Sequence, residues 1–270
     1  PGGKGSNQAV AAARVGADVS MLTRLGKDEF AKMALAMWKT EGVTPEIGQV
    51  DDNYTGSAYI FIEESTGNNA IIICPGAAST ISAEFVNQRQ QVIESADVFM
   101  TQLEQPVSAA FAGLEIARTA ATITVFNPAP AADIDNRLFA LCNYVTPNET
   151  ETEGFTGIAV NTVDQAREAA DALLKLGADN AVITLGEQGV LLHNRDVSEH
   201  IPAFNAGPVV ETTGAGDAFN GGFATALARG ENPLEAARFG CAVAAISVTR
   251  RGTAPSMPSL DEVQSLLVRH

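Results

Sequence analysis

The sequence predicts an α/β fold: a three-layer sandwich with a mostly parallel central sheet covered by helices on both faces, plus a small projecting β lid. Three observations carry this. Strand-like and helix-like stretches alternate along most of the 270 residues, the pattern of parallel strands joined by crossover helices. Apolar residues make up 46% of the chain and charged ones 18%, enough for a large core and too little charge for a disordered acidic polymer. Two adjacent β-like runs, 57–62 and 70–74, are joined by Glu63-Glu64-Ser65-Thr66-Gly67-Asn68-Asn69 with no helix between them. Such a hairpin has no place in a parallel layer and is expected to project, over about residues 56–75.

The elements follow in order. Ala9, Val10, Ala12, Ala13 and Val15 predict a small-residue helix from near Ser6, and 19–22 a strand. Phe30, Met33, Ala34, Met37 and Trp38 fall at helical spacing over 28–41, and Gly42 stops that helix. After the hairpin, Ser82 caps a helix to about residue 95, and 97–101 is a strand. Pro106 suits the first turn of a helix to residue 119. Strands are expected at 122–126 and 144–146. Thr162 with Gln165 makes a capping box for a helix to Leu176, ended by Gly177. Strands at 180–185, 190–193 and 197–201 precede helices at 216–229 and 233–249 and a last helix from Ser259. The whole reads as one domain over 1–270. Ligands of such sheets bind beyond the carboxyl ends of the strands.

Charge removes several functions. Seventeen Lys and Arg against 32 Asp and Glu give a net charge of −15, the wrong sign for a nucleic-acid surface or for docking on anionic lipid. No apolar run approaches the roughly 20 residues of a membrane span. Cys74, Cys142 and Cys241 form no C-x-x-C pair, and His193, His200 and His270 no metal-binding spacing. Neither a disulfide framework nor a zinc site is expected, and a reducing cytoplasm is the expected location.

The strongest chemical signal is Thr212-Thr213-Gly214-Ala215-Gly216-Asp217-Ala218-Phe219-Asn220-Gly221-Gly222. Two glycines two apart allow a tight turn that exposes backbone N–H groups. A helix begins there, so its free donors and positive dipole end face the same point. Asp217 is a carboxylate set into this anion hole, where it can take a proton from a nucleophile while the hole holds charge on a phosphoryl group. The spacing is neither the dinucleotide G-x-G-x-x-G, since residue 219 is Phe, nor a Walker A loop. A bare G-x-G-D is also compatible with an ordinary turn whose Asp stabilises the first helical turn. The second signal is Gly2-Gly3-Lys4-Gly5-Ser6-Asn7, which by itself reads as well as a helix cap beside a solvated lysine.

Together the two segments resemble the signature regions of the ribokinase-like (phosphofructokinase-B) sugar kinase family. Landmarks between and after them agree in order: Gln102-Leu103-Glu104, Asn127-Pro128-Ala129, Pro147-Asn148-Glu149-Thr150-Glu151, Thr184-Leu185-Gly186 and Val248-Thr249-Arg250-Arg251-Gly252-Thr253. The resemblance implies ATP-dependent phosphorylation of a sugar hydroxymethyl group, with ribose the first candidate. Deoxyribose, a ketohexose or a nucleoside are alternatives, as is a non-catalytic sugar or nucleotide sensor. It implies that Asp217 is the catalytic base and that Gly214, Ala215 and Gly216 form the anion hole. Gly2, Gly3, Lys4, Asn7 and Glu104 would contact the sugar. Asn148 and Glu151 would organise phosphates and Mg²⁺, the ion held through water. Thr184, Gly186, Gly189 and Gly216 would wall the nucleotide, with Cys241 and Ser247 at the adenine. The hairpin would be a lid over the sugar and the contact of a homodimer.

Two departures from the family follow. Its opening strand and a G-x-x-x-x-D sugar-binding segment would precede Pro1 and are not in this sequence. Many members carry an Asp six residues before the base as ligand to an activating monovalent cation; here the position is Glu211. With Thr213, Gly252 and Ser256 it would form a K⁺ site, and one extra methylene leaves open whether the carboxylate completes the cage or spoils it.

Overall fold

The computed structural model describes residues 2–62 and 69–269; Pro1, His270 and the hairpin connection 63–68 lie outside them. Helix α1 (Lys4–Arg14) starts after Gly3, whose φ of 90° strains any other residue. Strand β1 (Val19–Leu25) leads to α2 (Glu29–Glu41). The Asp28 side chain caps α2 at Ala31 N, and Gly42 closes it at a left-handed φ of 76°. Strand β2 (Val43–Gln49) then pairs parallel with β1. The sequence pattern does not suggest it, because Pro45 interrupts the strand. The proline fits because, among the described residues, β2 pairs with a strand on one side only.

The hairpin is formed by β3 (Ser57–Ile62) and β4 (Asn69–Cys74), with Ser57 opposite Cys74 and Tyr59 opposite Ile72. It is a separate two-stranded sheet, as its break in the rhythm implied. The helix expected over 82–95 is instead two short ones, α3 (Ala83–Asn87) and α4 (Gln90–Glu94). Arg89 is the cause. Its guanidinium stacks 3.7 Å from the Phe85 ring centre and donates to the carbonyls of Phe85 and Ile47 at 3.1 and 3.2 Å. The Phe85 carbonyl is the one a continuing helix would offer to Arg89 N, which turns to Val86 O instead.

Next come β5 (Val98–Thr101), α5 (Val107–Thr119), β6 (Ile123–Phe126) and β7 (Tyr144–Val145). Helices α6 (Glu149–Thr156) and α7 (Val163–Leu176) precede β8 (Asn180–Thr184), β9 (Val190–His193) and β10 (Ser198–Ile201). The capping box expected at α7 is half formed. Thr162 accepts from Gln165 N, but the Gln165 side chain accepts from Asn161 N rather than from Thr162. The chain ends in α8 (Ala215–Ala228), α9 (Pro233–Ser247) and α10 (Leu260–Leu267).

Among the described residues the main sheet has six strands in the order β10-β9-β8-β7-β6-β5. Its β5–β8 portion is parallel, and β9 and β10 are antiparallel. Among the described residues the β1–β2 pair shares no ladder with it. Side chains alternate across the sheet. Val125, Val182, Val190 and Leu192 join the core under α8 and α9; Phe126, Ala181, Ile183 and Leu191 join the core under α5 and α7. Both faces are thus buried, as a parallel sheet requires.

One helix pair sets the site. Asp217 meets Asn7 and Gln8, Gly221 faces Ala11 and Ala12, and the Thr225 hydroxyl reaches Ala12 O. Partners ascend together, so α1 and α8 run parallel with their N-termini at the same end. The approach is close: a Cβ on Gly221 would lie 2.5 Å from Ala11 Cβ and 2.7 Å from Gln8 O.

Candidate active site

The site lies where the carboxyl ends of β5, β6, β7 and β8 meet the N-termini of α1 and α8. Asp217, in the first turn of α8, is only 7% exposed. Asn7 Nδ2 donates to its Oδ2 at 2.8 Å, and Gln8 Nε2 to its Oδ1 at 3.1 Å. Burial raises the Asp217 pKa above the usual carboxylate range; the Lys4 charge and the Asn7 and Gln8 bonds pull it back down. Among the described residues Asn7 Oδ1 is buried with no partner. An orphaned acceptor of this kind costs about 1–3 kcal/mol unless a ligand donor meets it.

Gly214 takes a left-handed φ of 85° to open α8. The three-residue anion hole needs one correction. Ala215 N donates to Thr212 O at 3.1 Å, closing the turn, so this N–H is spent. Among the described residues, the backbone N–H groups of Gly214, Gly216 and Asp217 have no partner and remain for an anion. The loop after α9 packs on this turn: a Cβ on Gly214 would lie 3.2 Å from Thr253 Cγ2.

Glu104, just past β5, accepts from Lys4 N at 2.7 Å and lies against Gly3. Burial raises its pKa, against the opposing pull of Lys4. A Cβ added to Gly2 would meet nothing within 4 Å, so this residue borders open space. Asn148 and Glu151 form a full capping box on α6, each side chain bonding the other's backbone N–H. One Glu151 oxygen is thereby committed to Asn148 N at 2.9 Å. Burial also raises the Glu151 pKa; the Asn148 bond and the Lys4 charge oppose this, and the Asp217 charge adds to it. Thr184 N donates to Pro147 O, and a Cβ on Gly186 would face Glu149. The 148–151 and 184–186 segments therefore share one wall.

Other expected positions have structural duties. Gly189 is required by the fold, since a Cβ there would lie 2.1 Å from Ile201 O. Cys241 packs in the main core, and burial pushes its thiol up to about 12. The Ser247 hydroxyl donates to Ala244 O. Glu211 Oε2 accepts from Gly252 N at 2.9 Å, tying the loops before α8 and after α9. Thr213 is exposed, and the buried Ser256 hydroxyl donates to Thr253 O.

The structure gives roles to a set of buried amides, Gln8 and the motif residues Gln102, Asn127 and Asn220, for which the sequence suggested none. Gln8, Gln102 and Asn127 are all under 8% exposed and connect to Asp217. Asn220 accepts from the Thr146 hydroxyl and donates to Gly216 O. Two signals could have found them: polar residues immediately after strands β5, β6 and β7, and a glutamine inside the Ala/Val run of α1.

A buried carboxylate beside free helix-terminal N–H groups, at the carboxyl edge of a parallel sheet, is equipped to move a phosphoryl group to an alcohol. The chain belongs to the pfkB family of carbohydrate kinases, whose family profile matches residues 1–260. It is 40% identical over 267 residues to a ribokinase of Haemophilus influenzae, covering 98% of this chain and 87% of the relative. It is 35% identical over 268 residues to a deoxyribokinase of Salmonella typhi, with the same coverage. A solved structure of Arabidopsis thaliana ribokinase complexed with ribose and ATP superposes with a TM-score of 0.94 at 30% identity, over 98% of this chain and 87% of that one.

Proposed function

We propose that residues 1–270 act as one kinase domain that transfers the γ-phosphoryl of ATP to the hydroxymethyl oxygen of ribose, giving ribose 5-phosphate. The observation that carries this is the seating of Asp217 against Asn7, which joins the two distant signature segments at 2.8 Å. Asp217 takes the hydroxyl proton as the oxygen attacks, and the N–H groups of Gly214, Gly216 and Asp217 hold charge on the transferred group. Lys4, Asn7 and Glu104 bind the sugar, with Gly2 and Gly3 admitting it to the backbone. Asn148, Thr184 and Gly186 face the nucleotide.

Among the described residues no cluster of three or more His, Cys, Asp and Glu could cage a metal. Mg²⁺ would arrive on nucleotide oxygens, with Glu151 holding it through water; the ion would neutralise phosphate charge. Potassium would sit between the 211–213 and 252–256 loops, which Glu211 already ties together. No helix of the described residues is long and apolar enough to cross a membrane, and the unpaired thiols of Cys74, Cys142 and Cys241 suit a reducing cytoplasm.

An ADP-release assay over ribose, deoxyribose, a ketohexose and nucleosides tests the reading. The highest kcat/KM is expected for ribose. A preference for deoxyribose, favoured by the likeness to a deoxyribokinase, would move the substrate assignment, and turnover of none of them would leave a sensor. Glu104→Gln and Asn7→Ala are expected to raise the sugar KM about tenfold or more, since the first removes a charged acceptor and the second a buried polar partner. Unchanged KM in both refutes the sugar placement.

The hairpin is the proposed lid, over about 56–75. Its Tyr59 and Ile72, opposite each other on one face, are 59% and 55% exposed, an apolar surface suited to a second copy. Sedimentation should give a dimer for the native chain and a monomer for Ile72→Asp. A native monomer at micromolar concentration would remove the dimer.

A further inference from the structure

Among the described residues the carboxylate of Asp217 has two donors, and only Asn7 belongs to the segment assigned to the sugar. Gln8, with no exposed surface, is the other. Its side-chain amide is held in one direction by a chain of bonds that starts at the backbone. The Thr146 carbonyl can only accept, so the Asn127 amide group must face it, at 2.8 Å. Asn127 Oδ1 then faces Gln8 and accepts from its Nε2 at 3.1 Å. The same nitrogen donates to Asp217 Oδ1, and Gln8 Oε1 accepts from Gln102 Nε2. A flipped Gln8 would set its oxygen against two acceptors and its nitrogen against a donor.

We propose that Gln8 is a positioning residue for the catalytic base, aimed by Asn127 and Gln102, and that it fixes the rotation of the Asp217 carboxylate so that its proton-accepting lone pair faces the sugar hydroxyl. This rests on the assignment of Asp217 as base. Gln8 itself contacts no substrate in this scheme. Each carboxylate oxygen carries two lone pairs; one donor on each oxygen fixes the plane and leaves one free lone pair per oxygen. With Asn7 alone the carboxylate could rotate about a single anchor, and small misplacement of a reacting group is costly in rate. The Gln8 bond also favours the ionised form that a base must have. The charged groups acting on Asp217 are Lys4 from α1, Glu104 from the loop after β5 and Glu151 from α6.

The test is Gln8→Met, which keeps the length and loses the donor, read beside Asp217→Asn. The expected result is a kcat lower by about 10–100-fold, a sugar KM changed by less than about threefold, and an acid limb of the kcat–pH profile moved to higher pH because a donor to the carboxylate is gone. Gln8→Glu keeps the shape should the methionine fail to fold. It places a second acid beside the base and should move the same limb further up. Near-native kcat with an unmoved limb in a folded Gln8 variant, while Asp217→Asn is inactive, overturns the role of Gln8 alone. Near-native turnover of Asp217→Asn overturns the base assignment beneath it.

Discussion

Asp217→Asn should lower kcat by about 10²–10⁴-fold, the range for losing a general base, with little change in nucleotide affinity. The substitution preserves shape and the position of the α8 N–H groups, so what it removes is the capacity to accept a proton. Its pH profile carries a second signature. Burial of the native carboxyl raises its pKa, and Lys4, Asn7 and Gln8 only partly offset this. The base works when ionised, so native kcat should fall as pH drops through that raised pKa, at a pH above the ordinary Asp range. In the variant this limb should vanish. Near-native turnover would remove Asp217 from the chemistry.

Gly221→Ala should be costly despite adding one methyl to a helix that otherwise favours alanine. The new Cβ would fall 2.5 Å from Ala11 Cβ and 2.7 Å from Gln8 O, where α1 and α8 cross. The helices must part, and overpacking of this kind costs about 1–3 kcal/mol. Because Gln8 and Asn7 reach Asp217 from α1, the same displacement should also cut kcat. Gly154→Ala is the comparator. Gly154 lies within α6, and a Cβ there meets only Ala131 Cβ at 3.8 Å, so denaturation of that variant should be unchanged or slightly improved. Equal urea midpoints for the two variants would show that the crossing has slack.

Much of this was legible from residue pattern. Gly42 and Gly177 end their helices where the sequence placed them, and two β-like runs at 57–62 and 70–74 with no helix between them marked the hairpin. The misses at Arg89 and β2 share a cause: contacts with residues distant in the chain that leave no local trace. The break at Arg89 depends on Ile47 and Phe85, and β2 depends on a neighbour that tolerates Pro45. At the site, the glycine turn and Asp217 could be read from spacing. The spent Ala215 N–H could not, because the spacing does not say which way a turn amide points. Nor could the partners of Gln8, which come from the ends of two strands and from a helix.

The parallel course of α1 and α8 has a consequence for encounter. Two helix dipoles lie side by side with their positive poles at one mouth, in a molecule whose overall charge is −15. A polyphosphate approaching from bulk solvent is first repelled by the whole and then, within the last few ångströms, drawn in by the mouth. Dissolved ions damp distant fields more than near ones. The ionic background of a cell therefore mutes the repulsion and leaves the final attraction largely intact.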